Sequence, residues 1–220
     1  GDIIGIIGAN GSGKSTLFLN IMGILQPTQG HIEFNKKRLK YSKRSLMEYR
    51  KKIGIVFQDP DKQIFYSNVE EDVAFSLRNL NYSEDEIKSR VDLALEKVRS
   101  YELRERPVHF LSYGQKKRVA IAGSLVMDSE ILLLDEPTSG LDPKMTREMK
   151  EIIKDLSRER KILVSSHDMD FIYEICDYIY ILKAGEVLGE GSKEDIFTRR
   201  QLLEDALLDK PWLVKVHETL

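Results

Sequence analysis

A short apolar run that leads directly into a loop of small residues is the feature that most constrains the fold. The run is Ile3–Ile7, and the loop at positions 8–15 reads GANGSGKS, which fits the pattern G-x-x-x-x-G-K-[ST]. Its glycines let the backbone curl so that successive N–H groups point inward, and a helix that starts near Lys14 adds the positive end of its dipole. The sequence therefore predicts a strand, a phosphate-binding loop and a helix, in that order.

The phosphate loop assigns roles to consecutive residues. Lys14 is expected to reach the β- and γ-phosphates of a nucleotide, and the hydroxyl of Ser15 is expected to ligate Mg²⁺. A chance Gly/Ser-rich turn is the alternative, but an apolar strand before the loop and a helix after it are the context that the motif requires. The candidate nucleotide-binding residues are Gly8, Ala9, Asn10, Gly11, Ser12, Gly13, Lys14, Ser15 and Thr16.

Composition indicates a globular protein with a full core. Of the 220 residues, 41% are hydrophobic and 32% are charged, which is typical of globular domains. The formal net charge of −2 gives no reason to expect nucleic acid, and no apolar run approaches the length needed to cross a membrane. The single cysteine, Cys176, excludes a disulfide within this sequence and is expected to fill the core.

Short apolar runs alternate with helical patterns, which is typical of a parallel sheet covered by helices on both faces. We expect one α/β domain over residues 1–191, with a helical insertion at about 67–126, and a C-terminal helical extension over 192–220. The runs expected as strands are Ile3–Ile7, Ile53–Phe57, Ile131–Leu134, Ile162–Ser166 and Tyr178–Leu182.

Two carboxylates directly follow the apolar run Ile131–Leu134. In a parallel sheet, ligands bind at the carboxyl ends of the strands. Asp135 is therefore placed to hold Mg²⁺ through water, and Glu136 is placed to orient or deprotonate an attacking water. A plain exit from strand to loop is the alternative, which the phosphate loop upstream disfavours.

Residues 111–115 read LSYGQ and precede a helical run. Here the sequence resembles the ATP-binding subunits of ABC transporters, whose signature is LSGGQ. The resemblance implies that Ser112, Gly114 and Gln115 bind the γ-phosphate of a nucleotide held by the opposite subunit, which is anion capture at a helix N-terminus. Tyr113 departs from the usual glycine and is expected to present its phenol near the dimer interface. An ordinary helix capped by Ser112 is the alternative.

Three further positions match the family in order and spacing. Gln58 corresponds to a glutamine that touches Mg²⁺ and the attacking water, and it is therefore a candidate for both catalysis and metal binding. Asp142 closes the segment SGLD at 139–142, which matches the family's loop along the dimer seam. His167 stands where the family's switch histidine contacts the γ-phosphate. Taken alone, Gln58 and His167 would more often be ordinary loop or structural residues.

As a set, these motifs run from Gly8 to His167, and what they imply is an ATP hydrolase. The implied fold is a P-loop NTPase of the ABC type, with a mostly parallel sheet and a helical subdomain. Its cofactors would be ATP and Mg²⁺, and two subunits would hold two ATP molecules head-to-tail. The family also carries an N-terminal antiparallel piece with an aromatic residue that stacks on adenine. Nothing precedes Gly1, so we expect that piece to be missing from this sequence.

Three stretches are similar to one branch of the family, the energy-coupling-factor importers, and most of all to their cobalt-importing ATPases. They are FQDPDKQIF at 57–65, VEEDVAF at 69–75 and LSYGQKKRVAI at 111–121. This resemblance implies uptake of cobalt, another trace metal or a vitamin by a protein at the cytoplasmic face of the membrane. The implied partners are a second ABC ATPase subunit, identical or related, a transmembrane coupling subunit and a substrate-binding membrane subunit.

Two charged segments leave alternatives open. Residues 36–52 are densely basic, which is typical of a solvated face. The functional alternative is a contact with a membrane surface or with nucleic acid. Acidic residues at 59–72 are candidates for a groove that receives the coupling subunit, and a solvated acidic face explains them equally well. They are Asp59, Asp61, Glu70, Glu71 and Asp72.

The alternative function is a soluble ABC-type ATPase that acts on nucleic acid or ribosomes. DNA-repair members carry a long coiled coil between phosphate loop and signature, for which residues 8–112 leave no room. Ribosome-acting members usually carry two cassettes, and this sequence has one. We therefore expect no nucleic-acid partner.

The last residues predict a short terminal helix. Pro211 suits its first turn, and Leu213, Val216 and Leu220 then recur on one stripe. A helix this short must pack on something, either on its own domain or on a second tail across the dimer.

Overall fold

The computed structural model describes residues 2–217, and its centre is a six-stranded sheet. Along the sheet the order is β4-β5-β6-β1-β7-β8, in which the first five strands are parallel and β8 runs antiparallel to β7. The expected mostly parallel sheet is confirmed. The strands are β1 (Ile3–Ile7), β2 (Glu33–Phe34), β3 (Lys37–Arg38), β4 (Ile53–Val56), β5 (Ile131–Asp135), β6 (Lys161–Ser165), β7 (Tyr178–Lys183) and β8 (Glu186–Ser192).

Helices cover the sheet and fill the long connections between its strands. They are α1 (Lys14–Ile21), α2 (Lys43–Arg50), α3 (Val69–Asn79), α4 (Glu84–Lys97), α5 (Tyr113–Leu125), α6 (Pro143–Ser157), α7 (Met169–Ile175), α8 (Lys193–Thr198), α9 (Arg200–Asp205) and α10 (Trp212–His217). None of the helices in residues 2–217 is long and apolar enough to cross a membrane.

The central strands are apolar throughout because both of their faces are covered. In β5, Leu132, Leu133 and Leu134 are fully buried, as expected for a strand with helices on both sides. The parallel neighbours β5, β6 and β1 end side by side: Asp135 lies opposite Ser165, and Ser165 opposite Ile6. The residues that follow these three strands therefore meet at one edge of the sheet.

The segment in which we expect a helical insertion, about 67–126, contains α3, α4 and α5. Each of these helices has an N-cap side chain. The side chains of Asn68, Ser83 and Ser112 each accept a hydrogen bond from a backbone amide in the first turn. The three helices pack on one another through fully buried residues such as Leu77 and Val91. This packing fixes where the first turn of α5 lies relative to the sheet.

The terminal helix packs on its own chain. Pro211 is buried, the backbone N–H of Trp212 donates to Asp170 Oδ1, and Val214 packs against the core. The Trp212 and Leu213 side chains remain 64% and 59% exposed. Leu220, the last member of the expected apolar stripe, lies outside the described residues.

Candidate nucleotide site

The phosphate loop is held close to the sheet by residues that have no side chain. A Cβ atom on Gly8 would lie 2.3 Å from the carbonyl oxygen of Leu182, so only glycine fits this position. Gly13 has a φ of 106°, a left-handed conformation, and it begins α1 without a capping side chain. The first amides of α1 are therefore open to an anion.

Two polar side chains of the loop, those of Lys14 and Ser12, are suited to bind a phosphate. The Lys14 ammonium donates to the carbonyls of Gly8 at 2.8 Å and Ala9 at 3.2 Å, so it is held inside the loop. The hydroxyl of Ser12 is buried and has no hydrogen-bond partner among the described residues. An ammonium, an unpaired hydroxyl and open helix amides together fit the anionic phosphates of a nucleotide.

The first turn of α1 meets the end of β5. Ser15 Oγ donates to Asp135 Oδ2 at 2.8 Å, although the two residues are 120 positions apart. Asp135 Oδ1 also accepts a hydrogen bond from Ser165 Oγ. A hydroxyl and a carboxylate are hard oxygen donors of the kind that Mg²⁺ prefers, and Mg²⁺ takes its other ligands from water and phosphate. Residues 2–217 contain no cluster of three or more His, Cys, Asp or Glu side chains that could hold a metal.

Glu136 lies beside this pair and is held from several sides. Its carboxylate accepts from Ser166 Oγ at 3.2 Å through Oε2, and Oε1 is 2.9 Å from Nδ1 of His167. Its amide donates to the carbonyl of Ser165 at 3.0 Å. Glu136 is buried, whereas the His167 side chain is largely exposed. The carboxylate is therefore fixed, and the histidine remains accessible to a ligand.

Sequence reasoning did not single out three residues that complete this site. Ser165 ends β6 and Ser166 follows it just before His167, and a pair of hydroxyls at a strand end was the available signal. The third is Lys117, whose ammonium donates to the carbonyl of Glu136 at 2.8 Å. Burial lowers the pKa of Lys117 to about 8, although Glu136 and other nearby carboxylates oppose this shift. A lysine on a helix facing the core gave no signal in the sequence.

The other candidate residues lie at the rim. Gln58 Nε2 contacts Ser139 Oγ at 3.4 Å, so the loops after β4 and β5 touch. Asp142 caps α6, because its Oδ1 accepts from the amide of Met145 at 2.8 Å. Neither hydrogen bond reaches the phosphate loop of the same chain.

The signature segment, residues 111–115, forms a capped helix start. Ser112 accepts from the amide of Gln115, and Gln115 accepts in return from the amide of Ser112. Gly114 faces α6 closely, since a Cβ atom there would lie 2.4 Å from Met145 Cε. The cap that we named as an alternative is present, and Ser112 and Tyr113 at this helix start are exposed.

The acidic residues between 59 and 72 all have partners within the chain. Asp59 accepts from the amide of Asp61, and Asp72 from the amides of Phe65 and Tyr66. Burial raises the pKa of Asp72. The remaining carboxylates form ion pairs: Asp61 with Lys116, Glu70 with Arg104, and Glu71 with Arg78. These residues therefore do not form an unpaired acidic surface.

Comparison with known proteins decides the family. The sequence profile of the ABC transporter family matches residues 1–139 of this chain. The chain belongs to the ABC transporter ATPases. A putative ABC transporter ATP-binding protein of Listeria monocytogenes is 57% identical over 99% of this chain and 82% of its own length.

Other relatives carry more specific names. The cobalt import ATP-binding protein CbiO of Salmonella typhimurium is 48% identical over 99% of this chain and 81% of its own. The energy-coupling factor transporter ATP-binding protein EcfA of Methanosphaera stadtmanae is 45% identical over 100% of this chain and 80% of its own.

Solved structures agree with the fold of this ABC ATPase. CbiO1 of Clostridium perfringens, part of the ABC transporter complex cbiONQ, superimposes with a TM-score of 0.85 at 42% identity, covering 99% of this chain and 87% of its own. An ATP-binding cassette that forms a dimer in a post-hydrolysis state with ADP and phosphate gives a TM-score of 0.77 at 29% identity, covering 87% and 85%. The expected fold and the expected ATP hydrolase are confirmed.

Proposed function

We propose that this ABC ATPase is the ATP-binding and hydrolysing subunit of an energy-coupling-factor importer that takes up cobalt, another trace metal or a vitamin. The names of its relatives support this branch: CbiO is a cobalt import protein, EcfA is an energy-coupling factor protein, and CbiO1 belongs to a transporter complex. A peripheral position at the cytoplasmic face of the membrane follows from this assignment.

The observation that carries the chemistry is the hydrogen bond between Ser15 and Asp135, with Glu136 next in the chain. It unites the phosphate loop with the end of a buried strand, which is where ligands of parallel sheets bind. A nucleotide whose β- and γ-phosphates lie in the loop would bring its reacting phosphorus to this edge. Ser15, Asp135 and Gln58 would then hold Mg²⁺.

The chain's own groups divide the work of hydrolysis. Lys14 would exchange the carbonyls of Gly8 and Ala9 for phosphate oxygens, and the open amides of α1 would bind the same phosphates. The chemistry that Mg²⁺ supplies when bound is neutralisation of the charge on the phosphates. Glu136 would accept the proton of the attacking water at its carboxylate, and His167 would contact the γ-phosphate.

A second subunit would complete each site. Within the described part of the chain, no hydrogen bond joins the phosphate loop to the four residues proposed to act across the dimer, namely Ser112, Gly114, Gln115 and Asp142. The cap uses the amides of Ser112 and Gln115, so the amides of Tyr113 and Gly114 would bind the γ-phosphate held by a partner. The dimer of a related cassette with ADP and phosphate supports such an assembly. The partner would be a second copy of this chain or a related ABC ATPase.

The coupling subunit would bind a groove between β4, α3 and α5. Its cavity volume is about 250 Å³, and its lining includes Gln63, Phe65, Asp72 and Phe75. The exposed rings of Phe65, Tyr66 and Phe75 pack on one another at its edge. Clustered exposed aromatic side chains are typical of protein interfaces. Because Asp72 in this lining already accepts from two backbone amides and three other nearby carboxylates are in ion pairs, we propose an aromatic rather than an acidic contact.

Co-purification from membranes tests the assignment. A tagged chain should bring down hydrophobic membrane subunits, and Phe65→Ser should reduce their yield without changing ATP affinity. Leu93→Ser is the matched control, because Leu93 is an exposed apolar side chain on α4, away from the groove. Salt-sensitive binding to nucleic acid with no membrane subunit recovered would contradict the proposal and favour the alternative function.

A further inference from the structure

A buried lysine contacts the backbone of Glu136. Lys117 is only 2% exposed, and its ammonium donates to the Glu136 carbonyl at 2.8 Å. Burying an ammonium is costly, and an apolar side chain of similar length would fill the same space at lower cost. Packing alone therefore does not explain a lysine at this position, and its hydrogen bond to Glu136 is the property that requires an explanation.

Glu136 has a backbone conformation that must be held in place. Its φ is 49°, in the left-handed region, which a residue with a side chain adopts only when its surroundings enforce it. Three contacts enforce it here: β6 binds the amide of Glu136 through Ser165, whereas the Lys117 ammonium on α5 and the amide of Ser139 donate to its carbonyl, at 2.8 Å and 3.2 Å. Losing the Lys117 contact would remove the shorter, charged one of the two hydrogen bonds to this carbonyl, so that the peptide could rotate and carry the carboxylate away from its partners.

Tyr113 extends this contact to the neighbouring loops. The Lys117 ammonium lies 5.4 Å from the centre of the Tyr113 ring, one turn earlier on the same helix. The Tyr113 hydroxyl donates to the carbonyl of Gln58 at 3.2 Å. A Cβ atom on Gly140 would lie 3.0 Å from the Tyr113 ring, so that loop also packs against it.

We propose that Lys117 and Tyr113 are a positioning pair: they hold Glu136 in its left-handed conformation and connect it to the signature segment and the Gln58 loop of the same subunit. The inference rests on the proposed function, because it takes Glu136 as the base. It adds that a subunit's own signature helix sets the geometry of its own glutamate. A movement of α5 would therefore be transmitted to Glu136 without a change in nucleotide contacts.

Steady-state ATPase kinetics of the purified full-length protein test the pair. Lys117→Met keeps the side-chain length and removes the donor. We expect kcat to fall roughly tenfold or more, the size of one lost charged hydrogen bond, with KM for ATP unchanged within about twofold. Lys150→Met is the matched control, since Lys150 is also partly buried and paired with a carboxylate, Glu174, outside the site. Rates are normalised to the fraction of chains that bind nucleotide.

A second variant keeps the test valid if Lys117→Met does not fold. Tyr113→Phe keeps the ring and removes only the hydroxyl, and kcat should fall roughly threefold, as for one neutral hydrogen bond. If the two residues act as a unit, the double variant should lose less activity than the product of the two single losses. Independent, multiplicative losses would overturn the pairing.

Glu136→Gln serves as the reference that separates this proposal from the proposed function. If Glu136→Gln is inactive while Lys117→Met and Tyr113→Phe turn over ATP like the wild type, the positioning role is wrong and the catalytic assignment stands. Wild-type turnover by Glu136→Gln would instead overturn the catalytic assignment, and the positioning role with it. A fall in kcat that disappears after normalisation would leave Lys117 with a purely structural role and would also overturn the proposal.

Discussion

At the scale of single residues, the environment of Glu136 explains why this carboxylate is suited to act on a bound ligand. It is buried and accepts a hydrogen bond from Ser166, and it lies next to His167. A fixed carboxylate needs little reorganisation when a water molecule is placed beside it. Asp135, one residue earlier, is bound to Ser15 and Ser165 instead. Adjacent carboxylates thus have different partners and are proposed for different roles.

Replacing the proposed base separates binding from turnover. Glu136→Gln retains the shape of the side chain but removes its basicity, so ATP affinity should stay within about twofold of the wild type. Turnover should fall by roughly a hundredfold or more, the usual contribution of a general base. Equilibrium binding of a fluorescent ATP analogue and phosphate release measure the two quantities. Glu130→Gln is the control, because Glu130 forms an exposed ion pair with Lys52, and exposed ion pairs contribute little to the stability of a protein.

The single cysteine should be unreactive in the folded protein. Cys176 is fully buried, and burial raises the pKa of its thiol to about 12, so almost no thiolate is present near pH 8. Ellman's reagent should label the native chain very slowly. In guanidinium chloride, where the pKa returns to its ordinary range, one thiol per chain should react. Rapid labelling of the native protein would contradict the burial.

At the scale of elements, α6 shows how a residue assigned to nucleotide chemistry also serves its own helix. Met149, Ile152, Ile153 and Leu156 are buried on one side of α6, which is the helical spacing expected of a helix that packs on a sheet. Asp142 begins the helix by accepting a hydrogen bond from Met145. The loop proposed to lie along the dimer seam is therefore anchored by a helix cap.

Replacing Asp142 should lower the stability of the protein, by an amount that depends on whether the new side chain can still accept a hydrogen bond. Asp142→Ala removes the acceptor and should lower the free energy of unfolding by about 1 kcal/mol, whereas Asp142→Asn retains an acceptor and should cost much less. Urea unfolding followed by circular dichroism measures both. Equal losses for the two variants would show that the cap does not contribute. A loss of activity in Asp142→Asn at unchanged stability would support its proposed role at the seam.

At the scale of the whole molecule, we propose that one subunit contributes halves to two different sites. Its phosphate loop and the Ser15–Asp135 pair lie at one edge of the sheet, while the N-terminus of α5 is capped and exposed elsewhere. No hydrogen bond of Ser112 reaches the phosphate loop in the described part of the chain, since its partners are within the cap. A dimer would be the simplest assembly in which both halves meet a nucleotide.

Mixing defective subunits tests whether the sites are composite. Lys14→Ala should weaken nucleotide binding, because the loop loses its ammonium. Ser112→Ala should impair the contact that the signature segment makes with the nucleotide of the other subunit. A mixed dimer would contain one site with both defects and one with neither, so the mixture should hydrolyse ATP faster than either variant alone. Phosphate release is measured after mixed dimers have been demonstrated by differently tagged chains. Activity no higher than that of the variants would exclude composite sites.

The sequence by itself determined the features that are local along the chain. The apolar runs predicted the strands of the parallel sheet within one or two residues, because strands buried on both faces must be continuously apolar. The phosphate loop, the two carboxylates at the end of β5 and the cap at Ser112 could also be recognised, since each is formed by residues close in sequence. The resemblance to a family then supplied what separate motifs could not, namely that they belong to one kind of site.

Only the tertiary structure decided which distant groups meet. Ser15 and Asp135 are in contact because β1, β6 and β5 lie side by side, and strand order is set by long-range pairing that no short window contains. The same applies to Lys117, which reaches Glu136 because α3, α4 and α5 pack as they do, and to the acidic residues near 59–72, three of which form ion pairs within the chain. Hydrogen bonds and ion pairs between distant residues depend on the relative positions of whole elements, and these positions result from burying the entire core at once.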